Sequence, residues 1–294
     1  QPITQLAQIM NQLQSTAAAA ERVFEFLDES ELEEETPRIT HEQLAKIDGS
    51  VTFNHVNFGY NPDKTIINDF SMHVHAGQTV AIVGPTGAGK TTIVKLLMRF
   101  YELNSGNILI DGHDIKDYAR SDLRSLFGMV LQDTWLFGGT IRENLKYGKL
   151  DATDEEMEKA CQLAYADHFI NTLEDGYDTV INEESNNISQ GQKQLLTIAR
   201  AFLADPKILI LDEATSSVDT RTEVLIQKGM DKLMEGRTSF IIAHRLSTIR
   251  DANTIIVMRD GDIVELGNHE SLLAKGGFYA DLYQSQFESS KEDE

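Results

Sequence analysis

A short apolar run, Thr79–Val83, ends in Gly84-Pro85-Thr86-Gly87-Ala88-Gly89-Lys90-Thr91, and a helical pattern through Phe100 follows. Few folds accommodate that succession. The octapeptide matches the phosphate-loop pattern GxxxxGK[ST], and the chemistry explains its residue types. Glycines let the backbone curl so that successive N–H groups point inward at phosphate oxygens. The helix that begins there adds its positive N-terminal end. Lys90 supplies a mobile charge for β- and γ-phosphates, and the Thr91 hydroxyl is a ligand for Mg²⁺. The bland alternative is a glycine-rich turn at a strand–helix junction. The apolar strand before and the helix after are what the phosphate-binding reading requires.

Residues 207–211 form a second strand-like run, continuously apolar after Lys207 and ended by Asp212 and Glu213. A run without alternation suits a strand buried on both faces of a parallel sheet. Its terminal acid then falls at the carboxyl edge, where open α/β sheets bind ligands. Two adjacent carboxylates beside a nucleotide suit a division of labour: Asp212 toward the metal through water, Glu213 toward an attacking water. By itself, Glu213 also reads as a cap or charge for the next segment. Strands are expected at 51–58, 66–74, 108–110, 128–131, 240–243 and 254–258, with helices at 153–170 and 190–204. A turn at Asp260-Gly261-Asp262 leads into a strand at 263–266. The pattern is an α/β domain with antiparallel strands at its start and end.

Charge removes several function classes. The 294 residues carry 26 Lys and Arg against 47 Asp and Glu, a formal net charge of −21. Such a surface repels phosphate backbones and anionic lipid heads unless a local basic patch intervenes, and none is evident. The one cysteine, Cys161, forms neither an internal disulfide nor a CxxC metal site, which fits a reducing compartment. Ahead of the domain, Leu6, Met10, Leu13, Ala17, Ala20, Phe24 and Leu27 line one face of a helix expected over 1–28. Six acids within 28–35 and then Pro37 mark a solvated linker over 29–48. No apolar run is long enough to span a membrane, and no signal peptide opens the chain. Position 1 is Gln1 rather than Met, so the chain reads as a piece of something longer.

Further motifs come in a definite order. Tyr60 stands in Phe58-Gly59-Tyr60, Gln132 in Val130-Leu131-Gln132-Asp133, and Ile188-Ser189-Gln190-Gly191-Gln192 opens a helix. Ser216-Ser217-Val218-Asp219 follows the acidic pair, and His244 stands in Ile242-Ala243-His244-Arg245 after a strand. On these residues the chain resembles the nucleotide-binding domain of ABC transporters over 49–287. The resemblance implies a P-loop NTPase (RecA-like) core with an antiparallel β subdomain and a helical subdomain at about 134–203, an amphipathic helix before it and an acidic tail at 288–294.

What the resemblance implies for function is specific. ATP is the substrate and Mg²⁺ the cofactor, held by Thr91, Gln132 and Asp212, the last through water. Tyr60 stacks on adenine, and residues from Gly84 to Thr91, with Thr92, bind the phosphates. Two such domains meet head to tail, each P-loop facing the partner's signature motif. Ser189, Gln190, Gly191 and Gln192 then address the partner's ATP, although Ser189 also reads as a plain N-cap. Glu213 polarises the attacking water, His244 contacts the γ-phosphate, and Lys90 and Gln132 complete the catalytic set. Asp219 contacts the neighbouring subunit. Trp135 and Phe137 pack against a partner or within the core.

The helix over 1–28 resembles the cytosolic end of the last transmembrane helix of an exporter. Gly139-Thr140-Ile141-Arg142-Glu143-Asn144-Leu145 and Glu183 are also exporter-like, of the bacterial multidrug or lipid type. The expected setting is the cytoplasmic face of the cell membrane, with the transmembrane domain on the same chain. One departure stands out: Gln190 replaces the second glycine of LSGGQ, and Ile188 its leucine. That side chain either crowds the phosphate or adds an amide donor. It suggests a heterodimer with one weakened site, with a homodimer as the alternative. Two other readings compete: a soluble ABC-type ATPase acting on nucleic acid or ribosomes, and a nucleotide-gated dimer clamp with little hydrolysis. The charge of −21 and the single motif set oppose the first, and intact Glu213 and His244 oppose the second.

Overall fold

The longest uninterrupted apolar runs lie at the centre of the structure, and they do so because both faces of their sheet are covered. The computed structural model describes residues 1–29, 31, 35–61, 63–131, 134–182, 187–212, 218–242 and 246–285. In chain order the strands are β1 (Val51–Phe58), β2 (Ile67–Val74), β3 (Thr79–Val83), β4 (Ser105–Ile110), β5 (His113–Asp114), β6 (Phe127–Val130), β7 (Gly139–Thr140), β8 (Val180–Ile181), β9 (Ile208–Asp212), β10 (Thr238–Ile242), β11 (Thr254–Arg259) and β12 (Asp262–Gly267). The helices are α1 (Pro2–Leu27), α2 (His41–Leu44), α3 (Lys90–Leu97), α4 (Arg120–Ser125), α5 (Ile141–Lys146), α6 (Asp154–Leu163), α7 (Asp167–Thr172), α8 (Gln190–Ala204), α9 (Thr220–Met234), α10 (Leu246–Asp251), α11 (His269–Lys275) and α12 (Phe278–Tyr283).

The main sheet has the order β12-β11-β3-β10-β9-β6, parallel except for β12. A second, antiparallel sheet has the order β2-β1-β4-β5, and β7 and β8 pair separately. The period of two splits the main sheet between two cores. Val80, Ile82, Ile208 and Ile210 face Phe53, Phe70, Ile93 and Leu96, under the antiparallel sheet and α3. Ala81, Val83, Leu209 and Leu211 face Leu195, Ile198, Ile226 and Met230, on α8 and α9. This is the α/β architecture expected, with its antiparallel elements at start and end.

Three expectations change in detail. The helix through Phe100 stops at Leu97, because Arg99 turns left-handed (φ 53°) and the Phe100 N–H bonds to the Lys95 carbonyl at 2.9 Å. The helix at 153–170 is two helices, α6 and α7. Tyr165 is left-handed (φ 58°) and the Ala166 N–H reaches back to the Cys161 carbonyl at 2.8 Å. Both ends are Schellman turns with a large residue where glycine is usual. The third change is α9, a fifteen-residue helix that the sequence reading leaves unassigned. Only Ile226, Gly229, Met230 and Leu233 of it are buried, a narrow stripe on a polar helix.

Residues Gln1–Thr36 form a unit distinct from Pro37–Glu294. Within the first, α1 buries no residue, and Leu6, Met10, Leu13, Phe24 and Leu27 are all exposed. Among the described residues no helix is long and apolar enough to cross a membrane.

Candidate functional site

The turn after β3 is built against its neighbours rather than free in solvent. Gly84 has φ 150°, and a Cβ there would stand 2.1 Å from the Met258 carbonyl oxygen at the end of β11. No side chain fits. The Gly261 N–H, in the β11–β12 turn, donates to the Ala88 carbonyl at 3.3 Å, and the Asn68 N–H donates to the Gly261 carbonyl at 3.0 Å. The loop is therefore braced by both sheets.

Lys90 opens α3, and its Nζ donates to the carbonyls of Gly84 (2.7 Å) and Pro85 (3.0 Å). The ammonium is thus folded back over its own loop. Burial draws its pKa below the ordinary lysine value, and the Asp212 carboxylate opposes that shift. Asp212 ends β9 opposite Ile242 of β10. Together Thr86, Gly87, Gly89, Lys90, Thr91, Thr92, Asp212 and Ile242 line a cleft of about 470 Å³. Lys64 and Ile66, from the β1–β2 connection, line it too. Sequence reasoning passed over these two. A lysine and an isoleucine in a connecting segment carry no periodic or motif signal.

The second candidate cluster lies at the start of α8. Ser189 caps this helix: its Oγ accepts from the Gln192 N–H (3.2 Å), and the Gln192 Oε1 accepts from the Ser189 N–H (2.8 Å). This is a capping box, so the N-cap reading of Ser189 holds geometrically. Gln190 turns its amide to the Thr134 hydroxyl. Asp219 caps α9 by accepting from the Thr222 N–H at 3.0 Å, which holds its carboxyl below the usual range. α8 and α9 meet where Gly191 lies against Val218 and Thr222. Trp135 is exposed, and Phe137 lies between it and Tyr147 at 6.0 Å from each ring.

An unanticipated network fastens α8 to α5. The fully buried Asn144 donates to the Phe137 and Thr140 carbonyls and accepts from the Phe137 N–H. Arg200 donates to the Asn144 carbonyl and Oδ1, 2.6 Å each, and to the Trp135 carbonyl. Burial pushes this guanidinium down to about 10. Asn144 was legible only as part of an exporter-like stretch. Its role emerges from partners that the fold assembles.

Gln132, Glu213 and His244 lie outside the described residues, as do Ser216, Ser217, Glu183 and the 288–294 tail. Among the described residues no group of three or more His, Cys, Asp or Glu could hold a metal by itself. One hydroxyl (Thr91) and one carboxylate (Asp212) in a cleft nonetheless fit Mg²⁺. It favours oxygen donors and takes its remaining ligands from water and phosphate.

The description "ABC transporter" belongs to the family model matched by residues 67–216 of this chain. The chain belongs to the ABC transporter family. Within it, this is the ATP-binding, ATP-hydrolysing domain with the P-loop core described above. The chain is 59% identical over 278 residues to a "Fatty acid ABC transporter ATP-binding/permease protein" of Mycobacterium bovis, covering 95% of this chain and 43% of that protein. It is 47% identical to a "Putative multidrug export ATP-binding/permease protein" of Bacillus subtilis, covering 97% and 49%. A solved bacterial Atm1-family ABC exporter with ATP bound superposes with a TM-score of 0.81 and 40% identity, covering 96% of this chain and 49% of that one. The chain thus spans about half the length of the relatives it matches.

Proposed function

We propose that this ABC domain binds Mg-ATP in the Lys90–Asp212 cleft and that its hydrolysis drives the transport cycle of a membrane exporter. The observation that carries the reading is the meeting of Lys90, Thr91 and Asp212 in one cleft braced by β11 and β12. Lys90 exchanges its two carbonyl partners for phosphate oxygens. Thr91, Asp212 and Gln132 would hold magnesium, which when bound neutralises phosphate charge. Glu213 polarises the attacking water, and His244 holds the γ-phosphate side of that geometry. Ser189 and the N–H groups at the start of α8 serve a second ATP bound to a partner domain.

The partner is a second ABC domain, and the attached transmembrane domain places this one at the cytoplasmic face of the cell membrane. The names of the relatives support that setting, since two combine ATP-binding with permease or export. The assigned boundaries follow the same logic: 1–28 continues a membrane helix, 29–48 links, and 49–287 is the ATPase, with its helical subdomain at about 134–203. The altered signature motif supports a heterodimer. Robust ATP turnover by the full transporter chain expressed alone in membranes would count against it. The role of Glu213 is tested by Glu213→Gln, which should preserve ATP binding and lower turnover at least about a hundredfold. Normal turnover by that variant overturns the assignment.

A further inference from the structure

Tyr60 is restrained on several sides. Its ring centroid lies 5.0 Å from that of Phe58 and 5.0 Å from that of Tyr101, each pair crossing at 84°. Phe58 and Tyr101 meet at 5.7 Å, which closes a triangle of rings. A polar restraint completes it: the hydroxyls of Tyr60 and Thr92 are 3.2 Å apart. Phe58 and Thr92 are buried, whereas Tyr60 and Tyr101 are 45% and 42% exposed. A ring open to solvent is therefore pinned to a buried floor.

Two of the anchors are tied to one helix. Thr92 lies in the first turn of α3, the helix that begins at Lys90, and Tyr101 follows the turn that ends it. We propose that Tyr101, together with the Thr92 hydroxyl, is a positioning residue that holds the Tyr60 ring ready for a purine base while the phosphates occupy the cleft beside Lys90. This inference rests on the reading of that cleft as the nucleotide site. An exposed tyrosine without such contacts samples several rotamers, and ordering it at the moment of binding weakens affinity. Edge-to-face contacts on a ring limit that freedom. The restraint acts on the ring and not on the phosphates, so its effect is confined to ligands that carry a base.

The test compares Mg-ATP with Mg-tripolyphosphate, which has the phosphates and no base, by calorimetric titration of the full 294-residue chain. Tyr101→Ala should raise the ATP Kd about three- to tenfold and leave the tripolyphosphate Kd unchanged. In a Tyr60→Ala background the same substitution should have no further effect. Tyr60→Phe, which keeps the ring and loses the hydroxyl bond, should weaken ATP by a smaller factor and tripolyphosphate not at all. Equal losses for both ligands, equal ATP losses with and without Tyr60, or no loss overturn the proposal. If Tyr101→Ala does not fold by circular dichroism, Tyr101→Leu carries the same comparison. Failure of the unsubstituted chain to bind either ligand overturns the nucleotide-site reading itself, and the proposal with it.

Discussion

Gln190 donates its side-chain amide to the Thr134 hydroxyl at 2.9 Å, joining the first residue of α8 to the segment between β6 and β7. The two outcomes open to this side chain were crowding of a phosphate and provision of an amide donor. The donor exists, and it is spent within the chain. A glycine at this position has no such link. Replacing Gln190 by Ala or Thr134 by Val should each lower the unfolding free energy by about 0.5–1 kcal/mol, a typical net hydrogen bond. The double variant should lose no more than either single one. Urea unfolding of the four proteins measures the coupling, and strictly additive losses would show that the contact is idle.

Gly191 is required by packing. A Cβ there would stand 2.4 Å from the Thr222 Cγ2 and 2.9 Å from the Val218 Cγ1. Helix propensity alone favours alanine over glycine by about 1 kcal/mol. Overpacking of this kind costs about 1–3 kcal/mol. Gly191→Ala should therefore be neutral to destabilising instead of stabilising. Adding Thr222→Ser, which removes the nearer clashing methyl and keeps the N–H that Asp219 caps, should recover part of the loss, the Val218 contact remaining. The comparison is read from denaturant midpoints; a stabilising Gly191→Ala in the unaltered background refutes the clash.

Asp111 gives a pH dependence of known sign. Burial alone would raise its pKa, but bonds from the Ser50 hydroxyl and from the N–H groups of Asp48, Gly49 and Ser50 bring it below the usual carboxylate range. A carboxyl depressed in the folded state contributes stability above its unfolded value, near 4, and loses it as pH falls through the folded value. Asp111→Asn should therefore be less stable than the unsubstituted chain at neutral pH. The gap should narrow as pH drops below about 4. Unfolding midpoints measured from pH 7 downward check this, and a gap independent of pH would remove Asp111 from the account.

Local pattern carried most of the α/β framework. The apolar runs of β3, β9, β10 and β11 could be placed because a strand buried on both faces leaves few polar positions, in β10 only the buried Thr238 and Ser239 at its start. The Asp260-Gly261 turn was legible because left-handed residues at both positions (φ 52° and 88°) favour that pair. The helix α9 was not, since its buried stripe is four residues wide and its cap, Asp219, already had another reading. The breaks at Arg99 and Tyr165 were hidden for a related reason. Neither residue type announces a left-handed turn, and the carbonyls they satisfy lie in their own helices.

By itself the sequence determined the chemistry on offer: a lysine after a glycine loop, an acid at a strand end, a serine before a helix. Those are statements about neighbours in the chain, where spacing and covalent geometry suffice. Only the tertiary structure decided what each group touches. Gln190 meets Thr134 across 56 positions and Tyr60 meets Thr92 across 32, while Gly191 lies against Thr222 of another helix. Contacts at that separation depend on how sheets and helices pack, and packing is a property of the whole chain that no single window contains.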